Sequence, residues 1–255
     1  MKKQIKILLK FIIPVLVVTF WLYATHVQEI SPSILPKITS VGKAFIDLIK
    51  KGTLQKDLSI SILRVVRGYS LSIIVGILLG TLMGMFEIAY HIFHGPLTTI
   101  RQIPNIAWIP LIILWFGIKE LSKTVIIVMA AFFPIMTNTL NGILSTPQGY
   151  IELAQLYNLN LWKTFTKVYL PHTLPHILVG LKLGLGSSWM AVVAAELIAS
   201  SSGIGYRLSD ARSLMRSDIV IVCMIVIGII GILMDKGISL VFKGLTPWQK
   251  KKAEV

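Results

Sequence analysis

The 255-residue sequence holds one cysteine and few charges, with Asp, Glu, Lys and Arg making up 14% of it. A soluble domain carries about 25%. A lone cysteine excludes both a disulfide framework and a cysteine metal cluster. Cys223 lies in a run of Ile, Val and Met and reads as a small apolar side chain. Acidic residues are scarcer still, 11 against 25 Lys and Arg, for a net charge of +14. That excess does not point to nucleic acid, because no basic cluster is interleaved with aromatic residues as a base-stacking surface requires. The G-x-x-x-x-G-K-[ST] phosphate cradle is also missing, so the chain cannot hydrolyse nucleotide by that route. The serines at 200–202 have no His–Asp pair to activate them, and the chain reads as no enzyme. His172 and His176 stand four apart, a helical metal spacing, but Pro171 and Pro175 flank them without an adjacent carboxylate. They read as structural, as do His91 and His94 in a short turn before the breaker Gly95–Pro96.

What is abundant is apolar: 55% hydrophobic residues and a mean hydropathy of +0.77. The fold class is therefore all-α, a polytopic membrane protein. A bilayer core of about 30 Å takes about 20 apolar residues as helix, and about six such spans read along the chain: residues 7–23, 58–86, 103–117, 123–144, 177–200 and 219–242. The first is an uncleaved helix, since His26–Val27–Gln28 offers no small-x-small cleavage pattern. Between it and the second, Ile38, Val41, Phe45, Leu48 and Ile49 recur at helical spacing, giving a short amphipathic helix along the membrane surface. Gly76, Gly80 and Gly84 form a small-residue stripe on the second span; Gly180, Gly184, Ser188, Ala191 and Ala195 form another on the fifth. Such stripes let helix backbones approach closely. Pro104 and Pro110 interrupt the third span. The chain divides into an N-terminal helix with its amphipathic segment (1–57), a membrane core (58–245) containing a polar loop (145–176), and a basic tail (246–255). Lys and Arg divide almost evenly between the two sides. Lys2, Lys3, Lys6 and Lys10, next to the first span, favour a cytoplasmic N-terminus.

The polar loop carries the functional signal. After Thr146–Pro147, a helix-start pair, Ile151, Ala154, Leu156 and Leu159 give a short amphipathic helix. Trp162, Phe165 and Val168 continue with a second apolar face, which Leu170–Pro171 ends. This is a small helical hairpin outside the membrane, suited to docking a partner. Its pattern, Glu152-x-Ala154, a turn at Asn158 and Leu170–Pro171 a dozen residues on, resembles the coupling loop of permease subunits of bacterial ATP-binding-cassette importers. Further segments resemble the nitrate, sulfonate, taurine and bicarbonate branch of that family: Ser61–Ile–Leu–Arg64–Val–Val–Arg67–Gly68, Arg101–Gln–Ile–Pro104–Asn–Ile–Ala–Trp108–Ile–Pro110–Leu, Trp115–Phe–Gly117, Phe132–Phe–Pro134, Gly180–Leu–Lys182, Ala195–Glu196 and Gly203–Ile–Gly205–Tyr206. The family's usual loop glycine is Asn158 here, the non-glycine residue that best tolerates a left-handed turn. Leu153 stands where an alanine is usual.

The resemblance implies a type I importer permease in the bacterial cell (inner) membrane, with the loop cytoplasmic. It implies two copies forming the pore, two ABC ATPase subunits that use ATP and magnesium, and an extracytoplasmic substrate-binding protein. This chain itself would bind no cofactor and no metal, and its other contacts would be with lipid. Glu152 would make the polar contact to the ATPase, Ala154 and Leu156 would fill a groove, and Pro171 would set the exit angle. The cargo would be a small anion, with aliphatic sulfonates or taurine first and nitrate, bicarbonate or a thiamine pyrimidine precursor as alternatives. A stand-alone secondary transporter or channel is the reading from a different class. Polar groups within spans are costly and face the bundle interior, which marks Arg101, Gln102, Asn138, Asn141, Ser187, Ser188 and Glu196 as candidates for the path. For Asn138 and Asn141, hydrogen bonding between helices competes. For Glu196 the competitor is an ion pair with a basic residue such as Lys182 or Arg207.

Overall fold

A computed structural model describes residues 3–27 and 30–245. The expected positions of Lys2 and of the basic tail 246–255 lie outside the described residues. In chain order the helices are α1 (Lys3–His26), α2 (Ile38–Lys50), α3 (Thr53–Met85), α4 (Glu87–Arg101), α5 (Asn105–Phe116), α6 (Glu120–Leu144), α7 (Gln148–Leu156), α8 (Leu161–Thr164), a π-turn (Phe165–Tyr169), α9 (Leu170–Ala199), α10 (Ile204–Ser213) and α11 (Ser217–Leu245). Four stretches are long and apolar enough to cross a membrane, Thr53–Met85, Glu120–Leu144, Leu161–Ala199 and Ser217–Phe242. The pair α4 and α5, bent by 100°, makes a fifth if it is one broken span. Helix α1 contributes only a shorter apolar stretch, Ile12–His26, so four or five spans stand against the six expected from hydropathy, and the expected third span, 103–117, is only the second limb of the bent pair.

Helix α6 is the axis of the bundle: 61% of its span is buried, against 17% for α11, whose apolar surface is left for lipid. Two glycine stripes explain why α6 sits so deep. Gly68, Gly76 and Gly84 of α3 face Ile127, Ile135 and Ile143 of α6 in turn, so the two helices run parallel at a constant offset. A Cβ at Gly68 would come within 2.6 Å of the Ile127 side chain, and one at Gly80 within 2.6 Å of the Met136 carbonyl oxygen. On the other side Gly184 and Gly180 of α9 face Ala131 and Asn138, and His176 faces Gly142, so α9 runs antiparallel to α6. Helix α11 runs antiparallel to α9, joined by Trp189 Nε1 donating to Ile227 O at 3.0 Å and by a Lys182–Asp235 ion pair at 3.2 Å.

These directions put the start of α3, the start of α6, the end of α9 and all of α10 at one end of the bundle. The end of α3 and the 145–169 segment lie at the other. Helix α2 packs Val41, Ala44 and Leu48 onto a cluster holding Val222, Cys223 and Val226, so Cys223 is indeed a core side chain. The C-terminal part of α1 docks nearby, with the Trp21 indole donating to Pro36 O at 2.8 Å.

Two sequence expectations need correction. Gly95–Pro96 does not break the chain: both residues lie inside α4, which also carries His91 and His94. The break falls at Gln102–Pro104, where Pro104 caps α5, while Pro110 is accommodated inside that helix. Nor does Leu170–Pro171 end a helix. The chain runs from α8 into α9 through the π-turn, where the Leu170 N–H bonds Phe165 O five residues back. The wider turn relieves the clash that the proline ring would otherwise make with the carbonyl four residues before it. Pro171 therefore lies within a continuous 39-residue apolar helix.

Backbone contact across α3 and α6 has a measurable consequence. Gly80→Leu should lower the melting temperature of the detergent-solubilised protein by several degrees, as overpacking at a site of about 1–3 kcal/mol implies. Gly228→Leu, on α11 with open space around its Cα, should leave it near wild type. Equal melting temperatures would show that the helices do not meet as closely as described.

Candidate functional site

Chemistry-bearing residues gather at three places. The first is the hairpin end. Helix α7 starts after Pro147 and closes with a left-handed residue, Asn158 at φ 49°. The Asn158 N–H bonds Gln155 O at 2.9 Å and the Leu159 N–H bonds Ala154 O at 3.0 Å, the paired arrangement that satisfies helix-terminal carbonyls. Asparagine therefore does hold the turn that a glycine would hold. The Asn160 side chain then accepts from Lys163 N at 2.9 Å and opens α8. Of the loop candidates, Glu152 is exposed and Leu156 is 80% exposed, but Ala154 is only 4% exposed. The expectation that Ala154 fills a groove on a partner changes accordingly: its methyl is covered by its own hairpin. Tyr150, Leu153 and Ala154 face Lys167, Val168 and Pro171 across a cleft of about 570 Å³. Tyr157 and Trp162, 73% and 71% exposed, extend this apolar surface away from the bundle. Exposed apolar patches of this kind mark interaction surfaces.

The second place is the opposite end, and here the local pattern of the sequence had left the partners open. Asp57, Ser61 and Arg64 stand at i, i+4 and i+7, on one buried face of α3. Arg64 Nη1 donates to Glu196 Oε1 at 2.8 Å and to Ser202 O at 2.8 Å, while its Nε donates to Glu120 Oε2 at 2.9 Å. Ser61 Oγ lies 2.8 Å from both Glu196 oxygens, and the Gly205 N–H reaches Glu196 Oε2 at 2.9 Å. Glu196 is 1% exposed, and every direction around its carboxylate is occupied. Its partner is Arg64, not Lys182 or Arg207, which pair with Asp235 and Asp57. Arg207 Nε meets Asp57 Oδ2 at 2.9 Å; burial works against its charge, but Asp57 outweighs burial and holds the guanidinium above its usual range.

Gly203 belongs to the same cluster. With φ 106° and a Cβ position that would overlap the Glu196 carboxylate, only glycine fits there. The cluster thus ties α3, α6, α9 and α10 together. Three of the segments singled out in the sequence, around Arg64, Glu196 and Gly203, meet in it. The i, i+4, i+7 spacing of Asp57, Ser61 and Arg64 was the signal that could have revealed it.

The third place lies between α3, α4 and α6, where Arg101, Thr137 and Asn141 line a cavity of about 310 Å³. Gln102 is exposed at the helix break beside it. Asn138 turns away from this cavity: it donates to Pro134 O of its own helix at 2.8 Å, and its Cβ faces Gly180. Ser187 lines a separate cleft of about 280 Å³ with Asn105. Ser188 is fully buried, its hydroxyl without a partner among the described residues. The candidates for the path therefore do not form one surface. His172 and His176, with ring centroids 6.3 Å apart, sit where α9 passes α6, His172 beside Ser145 at 3.3 Å.

The sequence matches the family described as binding-protein-dependent transport system inner membrane component over residues 72–249. A putative ABC transporter permease protein of Methanocaldococcus jannaschii is 38% identical over 251 residues, 96% of this chain and 93% of that protein. A putative aliphatic sulfonates transport permease protein of Bacillus subtilis is 34% identical, over 93% of this chain and 86% of that one. Other relatives are named for taurine transport in Escherichia coli and nitrate import in Leptolyngbya laminosa. An inward-facing structure of the MetNI methionine ABC transporter shares the fold, with a TM-score of 0.52 at 18% identity, over 74% of this chain and 94% of that one.

Removing one member of a buried ion pair strands the other, at about 3–5 kcal/mol. Arg64→Ala should therefore sharply reduce the folded fraction recovered from membranes. Arg64→Ala combined with Glu196→Gln should recover part of the loss, because the stranded charge is gone. A double variant as poorly folded as the sum of both single ones would contradict the coupling.

Proposed function

Because the chain belongs to the family of binding-protein-dependent transport system inner membrane components, whose members are ABC transporter permeases and not enzymes, we propose that it is the permease subunit of an importer for small anions. It has the type I importer permease fold. Aliphatic sulfonates or taurine are the first cargo to test, a choice supported by the relatives named for them; nitrate follows for the same reason. The family's description implies a solute-binding protein outside the membrane, and the ABC designation implies a separate ATPase. Two copies of this chain would enclose the path.

The observation that carries the reading is the hairpin. It is a compact element closed by Asn158, apolar on its exposed surface, and continuous through the π-turn with α9. An ATPase that grips α7 would therefore move α9, and α6 and α3 with it, as one body. Glu152 and Leu156, both exposed, would make the polar and the apolar contact, while buried Ala154 would keep α7 seated on its own support. With the hairpin cytoplasmic, the Arg64 cluster and α10 face outward, and α1 starts inside. Glu196 is then a strut between helices, which leaves Arg101, Gln102 and Asn141 as the stronger candidates for contact with cargo.

Glu152→Lys or Ala154→Asp should abolish uptake of labelled taurine and of labelled ethanesulfonate by cells expressing the full importer, while immunoblots of the membrane fraction show normal amounts. Wild-type uptake in both variants would count against docking at this hairpin.

A further inference from the structure

We propose that the cavity between the C-terminal half of α4 and the ends of α3 and α6 is an oxoanion subsite inside the permease, with Arg101, Thr137 and Asn141 as its ligands. This deepens the importer reading and rests on it. The cavity, about 310 Å³, lies between α3, α4 and α6. Arg101 Nη1 donates to Thr137 Oγ1 at 3.1 Å. Among the described residues, no carboxylate pairs with that guanidinium. The other cations held between helices are neutralised: Arg64 by Glu120 and Glu196, Arg207 by Asp57 and Asp210, Lys182 by Asp235. The Lys123 ammonium sits on the Ile118 and Lys119 carbonyls.

Arg101 is exposed at the open side of the cavity, near the hairpin end of α3 and α6, so an anion can reach its guanidinium. Here the cavity supplies no counter-charge, because no acidic side chain lines it. Its polar members, His94, Thr98, Arg101, Thr137 and Asn141, all offer hydrogen-bond donors. The planar guanidinium fork suits the paired oxygens of a sulfonate or similar oxoanion. Met83 and Leu140 form an apolar wall for a short hydrocarbon stem. One cation with neutral donors gives weak, transient binding, as passage through a path requires. Asn138 and Glu196, engaged elsewhere, take no part.

The test places a reporter thiol on the cavity wall with Thr98→Cys in the assembled transporter; the native Cys223 is fully buried. In phosphatidylcholine nanodiscs, the rate of modification by 2-sulfonatoethyl methanethiosulfonate is compared with that by its trimethylammonium analogue. An unpaired local cation should favour the anionic reagent by about tenfold, the lower end of the range for focused fields. Ethanesulfonate should slow the reaction. Arg101→Gln should remove both effects, and Arg101→Lys should retain the preference. Equal rates for the two reagents, or no protection by ethanesulfonate, would overturn the proposal. So would protection that appears only when phosphatidylglycerol is added, since the ligand would then be a lipid headgroup. Uptake by the same purified variant reconstituted into sealed phosphatidylcholine proteoliposomes separates the two readings: normal transport with no charge preference removes the subsite and leaves the importer standing.

Discussion

Close backbone contact along α6 is the constraint on which the rest of the molecule depends. A membrane gives helices little hydrophobic reason to associate, so packing and interhelical hydrogen bonds must hold them. Here the glycines of α3 and α9 remove the side chains that would keep those helices from α6. The result is a three-helix body with α3 parallel and α9 antiparallel to α6. Each end of that body carries one specialised cluster. At one end buried charges lock α10 to it; at the other, the hairpin continues α9 out of the bundle.

The two ends are built with different chemistry. The Arg64–Glu196 cluster is enclosed, and its hydrogen bonds converge from α3, α6, α9 and the segment around Gly203. In a low-dielectric setting such a network is worth having only when every member is satisfied. This one fixes the relative position of the helices it joins. The hairpin is the reverse: its backbone is capped at Asn158 and Asn160, but its apolar side chains stay exposed. Rigidity within and exposure without are what a surface for transmitting movement needs.

Much of this architecture was legible in the sequence, for physical reasons. The spans announce themselves because hydrocarbon requires long apolar runs. The stripes through Gly76, Gly80 and Gly84 and through Gly180 and Gly184 read correctly because only close packing rewards glycine within a helix. Asn158 read correctly because few residues accept positive φ. What was not legible involved proline and pairing. Pro96 and Pro171 look like breakers, yet Pro96 is carried within α4 and Pro171 follows a π-turn, an adjustment no local pattern announces. The partner of Glu196 lies 132 residues away in sequence, and Lys182 and Arg207 were nearer guesses than Arg64. The burial of Ala154 depends on how α7 folds back on the start of α9, which periodicity alone does not fix.

The central claim is that a separate ATPase supplies the energy and that this chain converts its movement into passage of an anion. The most direct measurement is uptake of labelled taurine and ethanesulfonate into sealed proteoliposomes containing the purified chain and its binding protein, with an ion gradient imposed in one sample and collapsed by ionophores in a parallel one. Accumulation only when the ATPase subunit and ATP are included is the predicted result. Accumulation by the chain without any ATPase, sustained by an ion gradient, would contradict it.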